Sequence, residues 1–444
     1  MTRIVRTGLN FEREPLGAPW GFKGGFLTEC WQTAARMDTE TGLSTVGLGV
    51  QSVLWSDPAV FVGCSESAGN AQMLLLTSAA LEEAKREAYD SPLDLMDRLL
   101  PTVRARGREV TAQQDLRLTF VLNALVPVDC AAWRLAAAER QVGFDALIPD
   151  FARPALGFRQ DRIACVPAVG YGMAVPEVRR LAEDGFFILK IKVGSDPRQD
   201  GDPAAMFAWD CARMTAIHQA VGDCRAADSP DGRVLYYLDA NGRYDSLDRV
   251  LRLLDHLAKI DALDRTLLLE EPFPEDVRSE VGNLPVRVVA DESGHTEREV
   301  IDRIDLGYGA IALKPAAKTL SMSFRMAAAA FERGVPCFCA DLTVNPALVE
   351  WNKLFGAHLA PMPGLGMQLL ETNGFQNYRA WDRLTAQHPI PGAPWIVPRA
   401  GVFELIPSFF EQSGGLFAPL PHYEALTAYL GSDAPMARDT AARA

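Results

Sequence analysis

The sequence has no apolar segment at its N-terminus, no basic run and no paired cysteine spacing. The first ten residues lack the apolar core of a signal peptide, and we find no stretch of transmembrane length. The formal charge of −13 argues against nucleic-acid binding, which depends on Lys and Arg contacts to phosphate. The eight cysteines show neither CxxC nor zinc-ligand spacing. We therefore expect a cytoplasmic protein whose cysteines are reduced and which binds neither membranes nor nucleic acid. We also expect it to form a homo-oligomer.

Short apolar runs alternate with helical patterns from residue 163 onward. Apolar runs of this length, bounded by polar segments, are typical of strands buried on both faces, as in parallel sheets. The eight runs cover residues 164–169, 186–192, 233–239, 267–270, 286–291, 309–314, 335–341 and 366–371. Eight strands alternating with helices predict a (β/α)₈ TIM barrel, whose active site lies at the C-terminal ends of the strands.

The segments that flank the barrel have other patterns. Short alternating runs, including residues 46–50 and 59–62, predict a small antiparallel sheet, and the Gly-rich residues 19–25 predict a mobile loop. Helical spacing follows from about residue 71 to 141, with a long Ala/Leu-rich part over 118–140. The predicted fold is thus α/β: an α+β capping domain (1–160), a (β/α)₈ barrel (161–392) and a C-terminal segment that packs back on the cap (393–444), with a frayed tail after residue 432.

Charged residues follow five successive predicted strands. An unpaired buried charge is costly, so charges that recur at the same end of buried strands indicate a site. The residues at these ends are Lys190 and Lys192, Asp239 and Asn241, Glu270 and Glu271, Asp291 and Glu292, and Lys314.

Three of these carboxylates, Asp239, Glu270 and Asp291, come from consecutive strands and would converge in a barrel. They repel one another unless a cation compensates their charge. An oxygen-only ligand set without Cys or His favours a hard ion, so we predict Mg²⁺, with Mn²⁺ as a possible substitute.

The lysines supply the complementary chemistry. Lys190 and Lys192 are two residues apart on a strand, so both side chains point the same way, into the barrel. Neighbouring ammonium groups lower the pKa of at least one of them and make a neutral amine available as a base. Lys314 lies four strands further on and would approach from the opposite side. Two opposed lysines and a divalent cation suit the removal and return of a proton next to a carboxylate.

The motifs Lys190-x-Lys192, Asp239-x-Asn241, Glu270-Glu271-Pro272, Asp291-Glu292-Ser293 and Lys314 together resemble the enolase superfamily. Within it, they resemble the muconate lactonizing enzyme-like branch of the mandelate racemase/muconate lactonizing enzyme family. The match runs from about residue 163 to 378, and the first domain resembles the capping domain of that family in size and order.

The resemblance implies a role for each motif residue. It implies that Asp239, Glu270 and Asp291 are the metal ligands. Lys192 and Lys314 would form the acid/base pair, and Lys190 would assist them. A further residue on the eighth strand, Glu371, would be a hydrogen-bond partner of the substrate carboxylate.

Other nearby residues keep two interpretations each. Asn241 would contact the metal shell and substrate or cap the following helix, and Glu271 and Glu292 would be ligands or their hydrogen-bond partners. Lys23 and Trp20 would close over the substrate or remain in solvent.

Two further side chains near the strand ends also keep two interpretations each. Asp341 would be structural or catalytic, and His295 would be solvated or functional. The absence of a histidine after Asp341 argues against the His-Asp dyad of mandelate racemase.

The reaction favoured by two opposed lysines is racemisation or epimerisation of a small carboxylate by abstraction of its α-proton through an enediolate. Cycloisomerisation and dehydration by β-elimination use the same intermediate and are the alternatives within the class. Two alternatives lie outside this class of reactions. One is a Schiff-base lyase on the same barrel, and the other is a barrel that binds metal without catalysis.

Overall fold

The first part of the structure is an antiparallel sheet followed by helices. The structure is a computed structural model that describes residues 1–23 and 25–428. The sheet has the order β1-β2-β3. Its elements and those after it are β1 (Ile4–Phe22), β2 (Gly25–Thr39), β3 (Ser44–Gln51), α1 (Val53–Ser56), α2 (Pro58–Gly63), α3 (Glu66–Ala84), α4 (Pro92–Thr111), α5 (Leu118–Arg140) and α6 (Phe144–Leu147).

Two predictions for this region are wrong. Residues 59–62 lie in α2 rather than in a strand, because the Asp57 side chain accepts hydrogen bonds from the amides of Ala59 and Val60 and caps a helix there. Residues 19–22 lie in β1 and Gly25 lies in β2, rather than in a loop. Trp20 pairs with Leu27, Gly21 with Phe26 and Phe22 with Gly25, so these residues form the tip of the β1–β2 hairpin.

Helix α5 has the bounds predicted from its sequence. It is long and apolar enough to cross a membrane, which corrects the expectation that no stretch reaches that length. However, 94% of its most apolar window is buried inside the protein. Gly47 and Gly49 of β3 permit the close packing, because a Cβ atom at Gly47 would lie 2.0 Å from the carbonyl oxygen of Pro127.

The second part is a closed barrel of parallel strands, as predicted. Its strands are β4 (Arg162–Val166) continued by β5 (Ala168–Val169), β6 (Ile188–Lys192), β7 (Leu235–Asp239), β8 (Thr266–Glu270), β9 (Arg287–Ala290), β10 (Ala310–Leu313), β11 (Cys337–Ala340) and β12 (Gln368–Glu371). The ladder closes because β12 pairs with β4 and β5 pairs with β6.

Helices follow most of these strands. They are α7 (Val175–Glu183), α8 (Pro203–Val221), α9 (Leu247–Lys259), α10 (Glu297–Asp305), α11 (Pro315–Lys318), α12 (Leu320–Glu332) and α13 (Pro346–Ala357). Residues 271–286, all of which the structure describes, connect β8 to β9 without a helix.

After β12 come α14 (Gly374–Asn377) and α15 (Trp381–Ala386), and the C-terminal segment contains β13 (Val402–Glu404), α16 (Pro407–Glu411) and α17 (Pro421–Leu426). It contacts both other parts of the chain. Strand β13 pairs antiparallel with β4 of the barrel. Arg134 of α5 donates hydrogen bonds to the carbonyl oxygens of Leu416 and Ala418. The boundaries at 160 and 392 stay predictions, and the tail after residue 432 lies outside the described residues.

One buried carboxylate joins the cap to the barrel. Asp129 of α5 accepts hydrogen bonds from the amides of Leu320 (2.8 Å) and Ser321 (3.1 Å) at the start of α12, and from the Ser321 hydroxyl (2.5 Å). Trp133 Nε1 donates to the same hydroxyl at 3.0 Å. Burial raises the pKa of Asp129 to about 6, although these hydrogen bonds oppose the shift.

Candidate active site

The strand register brings the predicted charges together. In the parallel ladder Lys192 pairs with Asp239, and Asp239 pairs with Glu270. Residues at the C-terminal ends of neighbouring parallel strands meet at the same end of the barrel. The side chains of Lys190, Lys192, Asp239, Glu270, Asp291 and Lys314 are all buried there.

All of these side chains except that of Glu270 line a small cavity of about 40 Å³. The barrel supplies the polar part of its lining: Lys190, Lys192, Asp239, Asn241, Asp291, Lys314, Asp341, Thr343, Glu371 and Asn373, together with Leu342. The cap supplies Trp20, Phe22, Leu27 and Trp55. The cavity therefore lies at the junction of cap and barrel.

Lys190 lies between carboxylates from three strands. Its Nζ is 3.0 Å from Asp239 Oδ2, 2.8 Å from Glu270 Oε2 and 3.4 Å from Glu371 Oε2. Burial lowers the pKa of Lys190, but the three carboxylates outweigh burial and raise the pKa well above its ordinary value. The lowering predicted for at least one of the two adjacent ammonium groups therefore does not apply to Lys190.

Lys192 and Lys314 approach the cavity from opposite sides. The Nζ of Lys192 is 2.5 Å from Asp239 Oδ2 and 2.7 Å from Asn241 Oδ1. The Nζ of Lys314, four strands away, is 3.0 Å from Asp291 Oδ2. Burial lowers the pKa of Lys314, but Asp291 outweighs it, and the net shift is upward.

A cluster of carboxylates offers oxygen ligands for a metal ion. One oxygen from each of Glu270, Asp291 and Glu292 lies within 4.8 Å of the others. Among the described residues, Glu270 Oε1 and Glu292 Oε2 are buried and have no hydrogen-bond partner. Burial and the nearby Asp239 raise the pKa of Glu270 well above its usual value. Unpaired buried carboxylate oxygens in an oxygen-only set fit a hard divalent cation.

This cluster differs from the predicted ligand set in one member. Glu270 and Asp291 belong to both, but the cluster contains Glu292 in place of Asp239. Asp239 also lines the cavity, and its Oδ2 atom contacts Lys190 and Lys192. The roles of the predicted ligands stay predictions.

Glu271 holds the backbone that carries Asp291. Its Oε2 accepts hydrogen bonds from the amide of Asp291 (2.8 Å), the amide of Ser293 (3.1 Å) and the Ser293 hydroxyl (3.0 Å). Burial and the charge of Glu292 raise the pKa of Glu271 to about 7. The Oε1 atom of Glu271 is buried and has no hydrogen-bond partner within the part of the chain that the structure describes, and the role of Glu271 as partner or ligand stays a prediction.

Sequence reasoning did not single out Lys318. This fully buried lysine ends α11, and its Nζ lies 2.5 Å from the carbonyl oxygen of Asp291 and 3.2 Å from Asp291 Oδ1. It also donates to the carbonyl oxygen of Gly294 at 2.8 Å. Lys318 fixes the loop after β9 from the opposite side to Glu271. The sequence could have indicated Lys318 by its spacing, because it follows Lys314 by four residues, which is about one helical turn.

Asn241 connects the lysine side of the cavity to the carboxylate cluster. Its Nδ2 donates to Glu292 Oε1 at 2.9 Å, and its Oδ1 accepts from Lys192. The interpretation as a helix cap is wrong, because Ser246 provides the N-cap of the following helix α9.

Glu371 and Asp341 line the cavity next to each other. Glu371 Oε1 accepts a hydrogen bond from Asn373 Nδ2 at 3.2 Å. The Thr372 hydroxyl donates to Asp341 Oδ2 at 2.5 Å, and the Thr343 amide donates to Asp341 Oδ1 at 3.0 Å. Burial and the Glu371 charge raise the pKa of Asp341 to about 7.

Only one of the two candidates from the hairpin lines the cavity. Trp20 belongs to the lining and Lys23 does not. The Nζ of Lys23 lies 3.1 Å from Glu275 Oε1 and 3.9 Å from Glu292 Oε1. Arg117 of the cap contacts the same Glu275 carboxylate. His295 is buried away from the cavity lining, where its Nδ1 lies 3.0 Å from Glu299 Oε2.

Comparison with known proteins agrees with this architecture. Residues 173–350 match the family model described as enolase C-terminal domain-like. A search of curated protein sequences finds no match to the chain.

Solved structures resemble the whole chain. A dipeptide epimerase from Enterococcus faecalis V583, complexed with Mg and the dipeptide L-Leu-L-Tyr, has 16% identity and a TM-score of 0.60, and the match covers 91% of this chain and 97% of that one. A mandelate racemase/muconate lactonizing protein from Herpetosiphon aurantiacus has 18% identity and a TM-score of 0.61, with 91% and 96% covered. An N-succinyl Arg/Lys racemase from Bacillus cereus ATCC 14579 has 15% identity and a TM-score of 0.58, with 85% and 89% covered.

These likenesses confirm a TIM barrel with a cap formed by the N-terminal sheet and helices. Residues 173–350 match the enolase C-terminal domain-like model, so the resemblance to the enolase superfamily that the motifs indicated is confirmed over that part of the chain.

Proposed function

We propose that this protein is a metal-dependent racemase or epimerase that abstracts the α-proton of a small carboxylate. The observation that carries the proposal is that Lys192 and Lys314, from strands four apart in the barrel, line one cavity together with the carboxylates of Asp239, Asp291, Asp341 and Glu371. One lysine removes the proton from one face of the α-carbon, and the other returns a proton to the opposite face.

Mg²⁺ is the proposed cofactor, with Glu270 and Asp291 as two of its ligands and Asp239 as the third. Glu292 adjoins the site and is held by Asn241. When bound, the cation neutralises the negative charge that develops on the substrate carboxylate after proton loss. The dipeptide epimerase from Enterococcus faecalis, which shares the fold, was solved with Mg.

The lysines can act as bases only if they lose a proton. In the protein alone, Asp291 holds the proton of Lys314 through an ion pair of 3.0 Å. Once the charge of Asp291 is neutralised, the pKa of Lys314 falls toward the range that a base requires. Lys190 and Lys192 both contact the same oxygen, Asp239 Oδ2, at 3.0 and 2.5 Å.

The other proposed roles follow from position. Glu371, next to Lys190, would accept a hydrogen bond from the substrate, and Trp20 would cover it from the cap. Lys23 would act through Glu275 and Glu292 rather than by touching substrate. A cytoplasmic location and a homo-oligomeric state stay predictions.

α-Proton exchange in D₂O tests the proposal. The full chain with Mg²⁺ is incubated with amino-acid derivatives, dipeptides, sugar acids and muconate-like acids, and deuterium uptake is followed by mass spectrometry. We expect uptake into one class of acid, lost with EDTA and in Lys192→Ala. Absence of uptake from the whole panel, with bound Mg²⁺ verified, would contradict the proposal and favour a barrel that binds metal without catalysis.

A further inference from the structure

The cap side of the cavity is entirely apolar. All four cap residues in its lining are hydrophobic, and three of them belong to the β1–β2 hairpin: Trp20, Phe22 and Leu27, with Trp55 from α1. We name these four residues the apolar wall. The nearby cations of the cap, Lys23 and Arg117, are paired with Glu275 outside the lining.

The apolar wall covers both proposed catalytic lysines. The ring of Phe22 lies 5.7 Å from Lys192 Nζ, and the ring of Trp55 lies 5.7 Å from Lys314 Nζ. Trp20 is held at the end of the first barrel strand, since a Cβ atom at Gly170 would lie 3.1 Å from its ring. A substituent on the α-carbon of a substrate between the lysines would therefore face aromatic and aliphatic carbon atoms.

The space beneath the wall is small. A cavity of about 40 Å³ corresponds to roughly three or four water molecules, since one water needs about 10–15 Å³ by this measure. Pockets for drug-sized ligands are about 300–1,000 Å³. Only a compact substituent fits without displacement of the hairpin.

We propose that the substrate is a compact carboxylic acid whose α-substituent is apolar and uncharged, and that the apolar wall selects it. The inference rests on the proposed function and specifies its substrate class. A charged substituent would lose its hydration against the wall without gaining an ionic partner from the cap, which is strongly unfavourable.

The test uses acids of nearly equal size but different polarity. The Mg²⁺-loaded full chain is offered leucine, asparagine and aspartate, each as the free amino acid and as the N-acetyl derivative, and 2-hydroxyisocaproate against malate. Deuterium uptake at the α-carbon gives kcat/KM for each acid. We expect the leucine-like member of at least one series to exceed its aspartate-like partner by about 100-fold.

The outcomes separate this inference from the proposed function. Equal or faster exchange of the charged members would overturn the inference and leave the proposed function standing. Exchange confined to larger acids, such as dipeptides, would have the same meaning. Absence of exchange from these acids and from the wider panel would overturn both.

Two variants test the wall directly. Leu27→Arg adds a cation to it and should reverse the preference toward the aspartate-like acid. Because Leu27 is buried, Trp20→Arg, at a partly exposed position, serves as the second variant. The matched control is Phe26→Arg, since Phe26 adjoins Leu27 but is 54% exposed and absent from the lining. The same change of preference in the control, or none in either wall variant, would overturn the inference.

Discussion

Two cavities of this protein differ in size and in chemistry. The candidate active site measures about 40 Å³ and is lined by seven charged residues among fifteen, whereas a second cavity of about 420 Å³ lies among apolar residues of α13, α15 and the C-terminal segment. Thr372 separates them, because it lines the larger cavity while its hydroxyl donates to Asp341 in the smaller one. The larger apolar cavity would ordinarily be the first candidate for a binding site, but the groups that can move protons surround the smaller one.

Buried charge by itself is not sufficient evidence of chemistry. Near the larger cavity, Lys353 is fully buried, with its Nζ 2.8 Å from Glu350 Oε1 and 2.7 Å from the carbonyl oxygen of Trp395. This pair joins α13 to the C-terminal segment and faces the ring of Phe403 at 4.3 Å. What distinguishes the candidate active site is that its charges border open space.

The largest effect is expected for the lysines of the smaller cavity. Lys192→Ala or Lys314→Ala should each lower by about 10³-fold the α-proton exchange of the enantiomer whose proton faces that lysine, because each removes the base on one face. Rates of deuterium uptake measure the loss. The control is Val397→Ala in the lining of the larger cavity, and a comparable loss in that variant would break the distinction between the cavities.

The second-largest effect is expected for Mg²⁺ binding by the carboxylates at the smaller cavity. Asp239→Asn should weaken Mg²⁺ binding by more than about 100-fold, whereas Glu292→Gln, as an outer partner, should weaken it by about 10- to 100-fold. Isothermal titration calorimetry measures both affinities without reference to activity. A larger loss in Glu292→Gln than in Asp239→Asn would instead assign the third ligand to Glu292, as the carboxylate cluster allows.

A buried carboxylate outside either cavity should affect stability. The pKa of Asp129 in the folded protein, about 6, exceeds its ordinary value of about 4. Between pH 4 and 6 the folded state therefore binds a proton that the unfolded state does not, and the contribution of Asp129 to stability falls as the pH rises through this window. Relative to Asp129→Asn, the wild type should gain about 1–2 kcal/mol in free energy of unfolding from pH 7 to pH 5.

Urea denaturation at both pH values measures this gain. Asp150→Asn is the matched control, because the Asp150 side chain is 98% exposed. An Asp129→Asn difference that does not change with pH would contradict the raised pKa.

The smallest effect is expected for a residue in the lining of the larger, apolar cavity. Val397 is 58% exposed although it lines the larger cavity. Val397→Ala should change the free energy of unfolding by no more than about 0.5 kcal/mol and leave exchange unaltered. Thermal denaturation and deuterium uptake measure both quantities. A selective loss of exchange would show that the larger cavity takes part in the reaction.

The barrel and α5 were predictable because their evidence is local. The strand ending in Glu270 is an apolar run followed by charge, and α5 keeps helical spacing over its whole length. The hairpin tip was not predictable in this way, since its glycines resemble a loop until the pairing of Trp20 with Leu27 is known. Residues 59–62 carry a strand-like pattern that the Asp57 cap overrides.

The site was predictable in its charges but not in their partners. Each motif residue ends a strand, so its approximate position follows from the fold. That Lys190 lies between three carboxylates, or that Lys318 contacts Asp291, depends on distances between strands and helices that are far apart in sequence. The upward shift in the pKa of Lys190 depends on these contacts, whereas the sequence shows only the neighbouring ammonium.

The pairing of β4 with β13 has a consequence for synthesis on the ribosome. Ala164 of the first barrel strand is in register with Val402, so part of the edge of β4 remains without its partner until almost the entire barrel has been translated. Unpaired strand edges promote association with other chains. We expect nascent chains that end before residue 402 to depend on chaperones, and release of the last segment to cover this edge of β4.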